Sequence, residues 1–264
     1  MGFMDNFAAL EWQWQMGATD FVAAQPRDWQ QRVVPSSALA LRLVEIPSAA
    51  MTAAPTVALP APIPMSSMVK LSSVMDLDSL RAAIQNFEGL EIKKSAKQIV
   101  FGEGAPNPRV VFVGEAPGAD EDRMGRPFVG VSGQLLDRMI ASIGLSRTEN
   151  CYITNVLHWR PPGNRQPTPQ EIALSLPFLR KHIALLQPEA LCVLGGSAAK
   201  ALLDINEGIT RARGQWRDYI CDSGRRIPTL IMFHPAYLLR APAQKALAWR
   251  DLQALQGRLG TGSH

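Results

Sequence analysis

The chain has 264 residues, 47% hydrophobic and 19% charged, with a formal net charge of +4, which allows one ordinary domain with a sizeable core plus an extension. It holds no run of about 18 apolar residues and no basic start followed by an apolar signal core, so a secreted or membrane-spanning protein is not expected. Cys151, Cys192 and Cys221 are odd in number and lack metal-type spacing, which points to reduced, buried thiols in a cytoplasmic protein.

Residues 1–69 read as an N-terminal extension. Its stretch 7–16, with Trp12 and Trp14, has the pattern of a short amphipathic helix that could dock a protein partner, and 49–64 is an Ala/Pro/Thr-rich linker. Residues 1–68 carry three basic and five acidic side chains, which leaves 24 basic against 18 acidic on the remainder. The basic excess thus falls on the part that patterns as folded, as expected of a protein that meets phosphates.

From about residue 70 the pattern alternates. Runs 109–113, 151–156, 190–194 and 229–233 are short, apolar and bounded by turn residues, the signature of parallel strands buried on both faces. Ser132 is placed to cap a helix carrying Leu135, Leu136, Met139, Ile140 and Ile143 and ending at Gly144. Thr168-Pro169-Gln170-Glu171 is a capping box opening a helix to about Leu186. Ser197 is placed to cap a short helix to Leu203, and 242–255 forms the last helix. The expected fold is an α/β/α three-layer sandwich on a mainly parallel four-stranded sheet, with the domain at 70–258 and a tail at 259–264.

Each strand delivers a chemically distinctive group at its carboxyl end: Glu115, Asn155, Gly195-Gly196-Ser197 and His234. An open parallel sheet gathers such groups at one edge, where it binds ligands. Val113 to Gly118 lacks the Lys-Ser/Thr ending of a nucleotide P-loop and the spacing of a dinucleotide fingerprint, and no HExxH or nucleophile elbow occurs. Metal-hydrolase and serine-hydrolase chemistry are therefore not expected.

Five motifs in order, GEAPGADEDRMGRPFVGVSGQLLDRM, ITNVLHWRPPGNRQPTPQEI, LGGSAAKALL, RARGQW and FHPAYLLR, make residues from about 87 to 255 resemble family 4 of the uracil-DNA glycosylase superfamily. The resemblance implies an N-glycosidase of base excision repair that flips uracil out of single- or double-stranded DNA and hydrolyses its glycosidic bond. It implies a monomer in the cytoplasm, associated with the nucleoid. It assigns Phe128 as the ring on which uracil stacks, Asn155 as the amide pairing with uracil O4 and N3, and His234 as the donor at O2. Glu115 would either crowd the base C5 position or orient water near the sugar. Ala116 stands where the best-known uracil glycosylases have a water-activating aspartate, which Glu121 or Asp122 could replace only if the loop folds back.

DNA contacts are assigned by the same resemblance to Ser132, Gln134 and Ser197 at helix starts and to Leu238, Leu239 and Arg240 as a wedge loop. Arg160, Arg165 and Arg213 are candidate backbone contacts. Family 4 also implies an iron–sulfur cluster on four cysteines, but the matching positions here are Phe87, Leu90, Trp159 and Ser175, none a thiolate. A cluster-free protein is expected, with an apolar patch tying the Phe87 segment to the Trp159 loop. The alternative reading is a non-catalytic damage-binding or partner-recruiting module on the same fold.

Overall fold

The computed structural model describes residues 71–260; the extension, its 7–16 helix and 49–64 linker, and the tail beyond 260 lie outside the described residues. Six strands form one sheet: β1 (Glu103–Gly104), β2 (Val110–Gly114), β3 (Cys151–Asn155), β4 (Ala190–Leu194), β5 (Trp216–Ile220) and β6 (Arg226–Met232). Their order is β1-β3-β2-β4-β6-β5. The four inner strands are parallel, and β1 and β5 are antiparallel edges. Every residue of β2, β3 and β4 is buried, as helices on both faces require.

The expected four-stranded sheet is thus corrected to six, with its four expected strands as the parallel centre. The edges escaped the sequence for physical reasons. Strand β1 is two residues long, below any periodic signal. Strand β5 buries only Tyr219 fully and carries Arg217 and Asp218 on a solvated edge, where charge is the normal defence against edge pairing.

Among the described residues eight α-helices flank the sheet: α1 (Leu77–Asn86), α2 (Ala119–Met124), α3 (Val131–Ala141), α4 (Pro169–Leu186), α5 (Gly196–Leu203), α6 (Ile209–Ala212), α7 (Pro235–Arg240) and α8 (Lys245–Leu259). The Thr168 capping box stands: its hydroxyl accepts from Glu171 N, and Glu171 reaches back to Thr168 N at 2.8 Å. Neither serine is a cap. Gly130 caps α3 and Gly195 caps α5, so Ser132 and Ser197 sit two residues further in, at the second helical position. Gly195 has φ +95°, and a Cβ there would stand 3.2 Å from His234 Cβ, so backbone and crowding both favour glycine over serine as the cap. Helix α8 starts at Lys245, after a 3₁₀ turn over Pro242–Gln244. The acidic stretch 120–124 is the helix α2 rather than a loop, and the wedge segment is the helix α7.

Phe87, Leu90 and Trp159 are buried in one apolar cluster with Phe178, whose ring meets Phe87 edge-on at 5.1 Å. This cluster also packs Ile92 and Phe101 against the sheet. Beside it, His182 Nε2 bonds the Tyr152 hydroxyl at 3.1 Å, and the rings of Phe101 and His182 stack at 4.3 Å. His158 stacks beyond, 6.0 Å from each. Burial pushes His158 down to about 4, and burial, then the neighbouring His158, lowers His182 well below its ordinary value.

Both imidazoles are therefore neutral in the fold but free to protonate once unfolded, so stability is intact above about pH 6.5 and falls as pH drops toward 4. His158 alone is expected to remove about 2 kcal/mol between pH 7 and 5. Urea denaturation of wild type and His158→Phe at the two pH values checks this: the variant should lose visibly less on acidification, and equal losses would refute it.

Candidate active site

Strand β2 is followed on one side by β3 and on the other by β4, so the chain reverses direction across the sheet between β2 and β4. The crevice at such a point is where open α/β sheets bind ligands. Here it is a cavity of about 700 Å³ whose walls are Glu115 to Gly118 after β2, Asn155 at the end of β3, Leu194 to Gly196 after β4, and Phe233 and His234 after β6. Phe128, from the loop between α2 and α3, lines the same space.

The ladder sets this geometry. Gly114 pairs with Asn155, and pairing continues through Val156 N to Gly114 O at 2.9 Å and Leu157 N to Glu115 O at 3.1 Å. A Cβ on Gly114 would stand 2.4 Å from Asn155 Oδ1 and 2.7 Å from the Phe128 ring, so only glycine lets amide and ring meet over the strand end.

Phe128 is buried and held at φ +52°, a left-handed conformation that costs a non-glycine residue about 1–2 kcal/mol. Two charged side chains hold it there. The Glu121 carboxylate accepts from Val129 N and Gly130 N at 2.9 Å and from Gly118 N at 3.1 Å. The Arg147 guanidinium donates to Pro127 O at 2.7 Å and Phe128 O at 2.6 Å, and to Asp137 at 2.7 Å. Gly133 completes the seat, since a Cβ there would overlap Phe128 O. Sequence reading gave Arg147 no role; a lone arginine after a glycine turn carries no signal until the fold brings it to the loop.

His234 ends β6 and caps α7. Its Nδ1 accepts from Ala236 N at 3.1 Å, which leaves the neutral ring's proton on Nε2. Burial, with Arg240 adding, pushes its imidazole down to about 4, against a weaker upward pull from Glu121. Its ring lies 5.5 Å from that of Phe128. Asn155 is almost fully buried, yet its Nδ2 has no protein partner; a buried donor of this kind costs about 1–3 kcal/mol until something accepts from it. The Glu115 carboxylate lines the cavity and has no hydrogen-bond or ion-pair partner among the described residues.

Glu115, Ala116, Phe128, Asn155, His234, Ser132 and Arg240 thus all line one cavity. Gln134 is exposed and Ser197 half-buried, and neither lines it. Leu238 is corrected outright: it is fully buried, packed beneath α7, and cannot enter a duplex. Its neighbours Tyr237 and Leu239 are the exposed apolar groups of α7. Helix α2 brings Glu121 to the cavity, but that carboxylate already accepts from three backbone amides. Asp122 accepts from Lys97 N at 2.8 Å with Arg160 3.8 Å away. Arg165 pairs with Glu171 at the rim, whereas Arg213 is committed inward to Asp251 and Leu247 O. Asn164, Gln166 and Tyr237 also line the cavity; they fall inside the quoted motifs, but sequence reasoning gave them no role.

A family model described as "Uracil DNA glycosylase superfamily" matches residues 101–253. Curated relatives include a type-4 uracil-DNA glycosylase of Pyrobaculum aerophilum, 38% identical over 69% of this chain and 94% of the relative. Another, from Archaeoglobus fulgidus, is 38% identical over 63% of this chain and 84% of its own length. The type-4 uracil-DNA glycosylase of Thermotoga maritima is 44% identical over 54% of this chain and 72% of the relative.

Replacing Arg147 with Met removes two charge-assisted bonds to the Phe128 loop and is expected to cost about 2–3 kcal/mol of stability. A loss below about 0.5 kcal/mol in urea denaturation, at the level of an ordinary surface change, would mean that the loop keeps its conformation without the clamp.

Proposed function

The chain belongs to the uracil-DNA glycosylase superfamily, and from that membership we propose that it extracts uracil from DNA and hydrolyses the N-glycosidic bond, leaving an abasic site. The observation that carries the reading is the unpartnered Asn155 amide in a cavity walled by Phe128 and a neutral, tautomer-fixed His234. A flipped uracil stacks on Phe128, gives its N3–H to Asn155 Oδ1 and takes the Nδ2–H at O4. That pairing satisfies the donor the fold leaves open. Cytosine presents an amino group where O4 would be, which again strands the Nδ2 donor, and such mismatches discriminate strongly.

As the bond from C1′ to N1 lengthens, charge flows into the base and collects at O2, while the sugar becomes oxocarbenium-like. His234 Nε2–H stabilises the departing uracil anion from a preset position. The unpaired Glu115 carboxylate faces the opposite charge and orients the water whose oxygen adds to C1′. The water's proton leaves to solvent or to the anion. Ala116 supplies no acid, which places the burden on stabilising the leaving group. No lysine lines the cavity, in keeping with a monofunctional enzyme without a lyase step; Lys200 and Lys245 lie on α5 and α8.

Ser132 and Arg240 line the cavity and, with the exposed Leu239 next to Arg240 on α7, suit a DNA grip, Leu239 rather than Leu238 being the apolar contact. Gln134 and Ser197 remain assigned to phosphates further out, at helix starts. The protein acts as a monomer in the cytoplasm at the nucleoid, and the N-terminal extension takes a protein partner. Among the described residues no helix is long and apolar enough to cross a membrane.

The cluster that the resemblance implies does not fit these residues. At its positions three side chains without a metal-ligating atom pack together and the Ser175 oxygen is the one atom with a lone pair to offer iron, while the three cysteines stand elsewhere on the sheet or beyond β5. We infer a cluster-free enzyme; purified protein is expected to lack stoichiometric iron and a brown visible spectrum, and finding both would overturn this.

Release of uracil from a single-stranded oligonucleotide carrying one deoxyuridine is the direct test. His234→Ala is expected to lower the rate by about two orders of magnitude or more, the scale of one lost transition-state donor. No release by folded wild type that still binds the oligonucleotide would turn the reading to a non-catalytic module. Because His234 works as the neutral donor, kcat should hold from pH 8 down to about 5 and fall only near 4. A rate that drops as pH rises through about 6.5, where an ordinary histidine loses its proton, would show that the charged form is needed instead.

A further inference from the structure

A second cavity, of about 610 Å³, opens over the Trp159 end of the apolar patch. Arg81, Lys93 and Lys97 line it with the amides of Gln85 and Gln98, and none of its lining residues is acidic. Arg81 lies over the Phe101 ring at 4.8 Å and has no carboxylate partner among the described residues, nor does the Lys97 side chain. Lys93 pairs with the highly exposed Glu88 and donates to Phe87 O at 3.4 Å. Three cations facing one cavity repel each other unless an anion joins them.

An independent feature points the same way. Trp159 lines this cavity, is more than nine-tenths buried, and its indole N–H has no partner. A buried tryptophan normally satisfies that donor. The three cations and the Gln85 amide form a surface rich in donors with the Trp159 N–H buried in the wall behind it, which fits phosphate oxygens; the Gln98 amide is already committed to Arg123 O at 2.6 Å.

Its position relative to the active site identifies the source of the phosphate. The active cavity uses Gly118 and Glu121 at the start of α2, and this one uses Met124 and Gly125 at its end. The second shared wall is the segment in which Trp159 lines this cavity and Pro161 the other, with Arg160 between them. The six residues of α2 span about 9 Å, which a strand at about 3.4 Å per nucleotide crosses in a few steps.

We propose that this cleft is a phosphodiester site gripping the strand that carries the extruded nucleotide, a few nucleotides away from it; the proposal rests on the glycosylase reading above. The test uses the full chain, Lys97→Gln and the double variant R81Q/K97Q, with a uracil pentanucleotide and a long single strand carrying one uracil. Expected for the double variant is a KM on the long strand raised roughly fivefold or more at low salt, with kcat and the pentanucleotide unchanged. The slope of log KM against log salt should become shallower by about 0.7 for each phosphate no longer neutralised. Lys97→Gln, at an exposed side chain, should show part of the same change should the double variant melt early. Equal KM and slope for wild type and both variants would overturn the proposal.

Two further arms separate the alternatives. If wild type releases no uracil, fluorescence anisotropy on the same long strand replaces KM: weaker binding by the variants upholds the cleft while the glycosylase reading falls, and equal binding overturns both. Inorganic phosphate that raises the melting temperature of wild type but not of R81Q/K97Q, with long-strand KM unaltered, would assign the cleft to a small phosphate and overturn its role on DNA.

Discussion

The register of β2 against β3 is the constraint on which the site depends. Strands buried on both faces cannot carry unpaired polar groups along their length, so chemistry is confined to their carboxyl ends. The alignment of Gly114 with Asn155, extended through Leu157 N to Glu115 O, brings a carboxylate and an amide to the same height. A one-residue slip would turn Asn155 into the other layer. The missing Cβ of Gly114 then admits the Phe128 ring, and the rest of the cavity is built around that contact.

The same logic separates what was legible in the sequence from what was not. Glu115, Asn155, Gly195 and His234 could be placed together because each follows a run apolar enough to be a central strand. Phe128 lies in a loop, and nothing in Gly-Arg-Pro-Phe-Val-Gly announces a phenylalanine at positive φ; that conformation is imposed by Arg147 and Glu121, which are distant or differently tasked in sequence. Leu238 and Leu239 are chemically identical neighbours, and only the helical phase of α7 sends one into the core and the other to solvent. The short strand β1 and the charged edge β5 are set by tertiary pairing rather than by hydrophobic period. Capping misled in a consistent way: Ser132 and Ser197 are good caps by propensity, but glycines stand at the caps, Gly130 against the Asp120 and Glu121 carboxylates and Gly195 against His234.

Around Phe87, Leu90 and Trp159, apolar burial joins the segment before the sheet to the loop after β3. This packing is incomplete in polar terms. Trp159 Nε1, Ser175 Oγ, His158 Nε2 and His182 Nδ1 are all buried without protein partners. Such atoms are usually met by ordered water, and they make this flank more sensitive to acid and to solvent than the dry centre of the sheet.

Leu238 has a consequence beyond its own burial. With Leu238 and Pro235 both seated in the core, α7 presents Tyr237, Leu239 and Arg240 from a fixed platform rather than a pliable loop. Association then orders little of the protein, so the entropic cost of binding is small on this side. On the proposed DNA contact by α7, the deformation would fall on the nucleic acid, whose own stiffness at a given sequence would become part of what the protein selects.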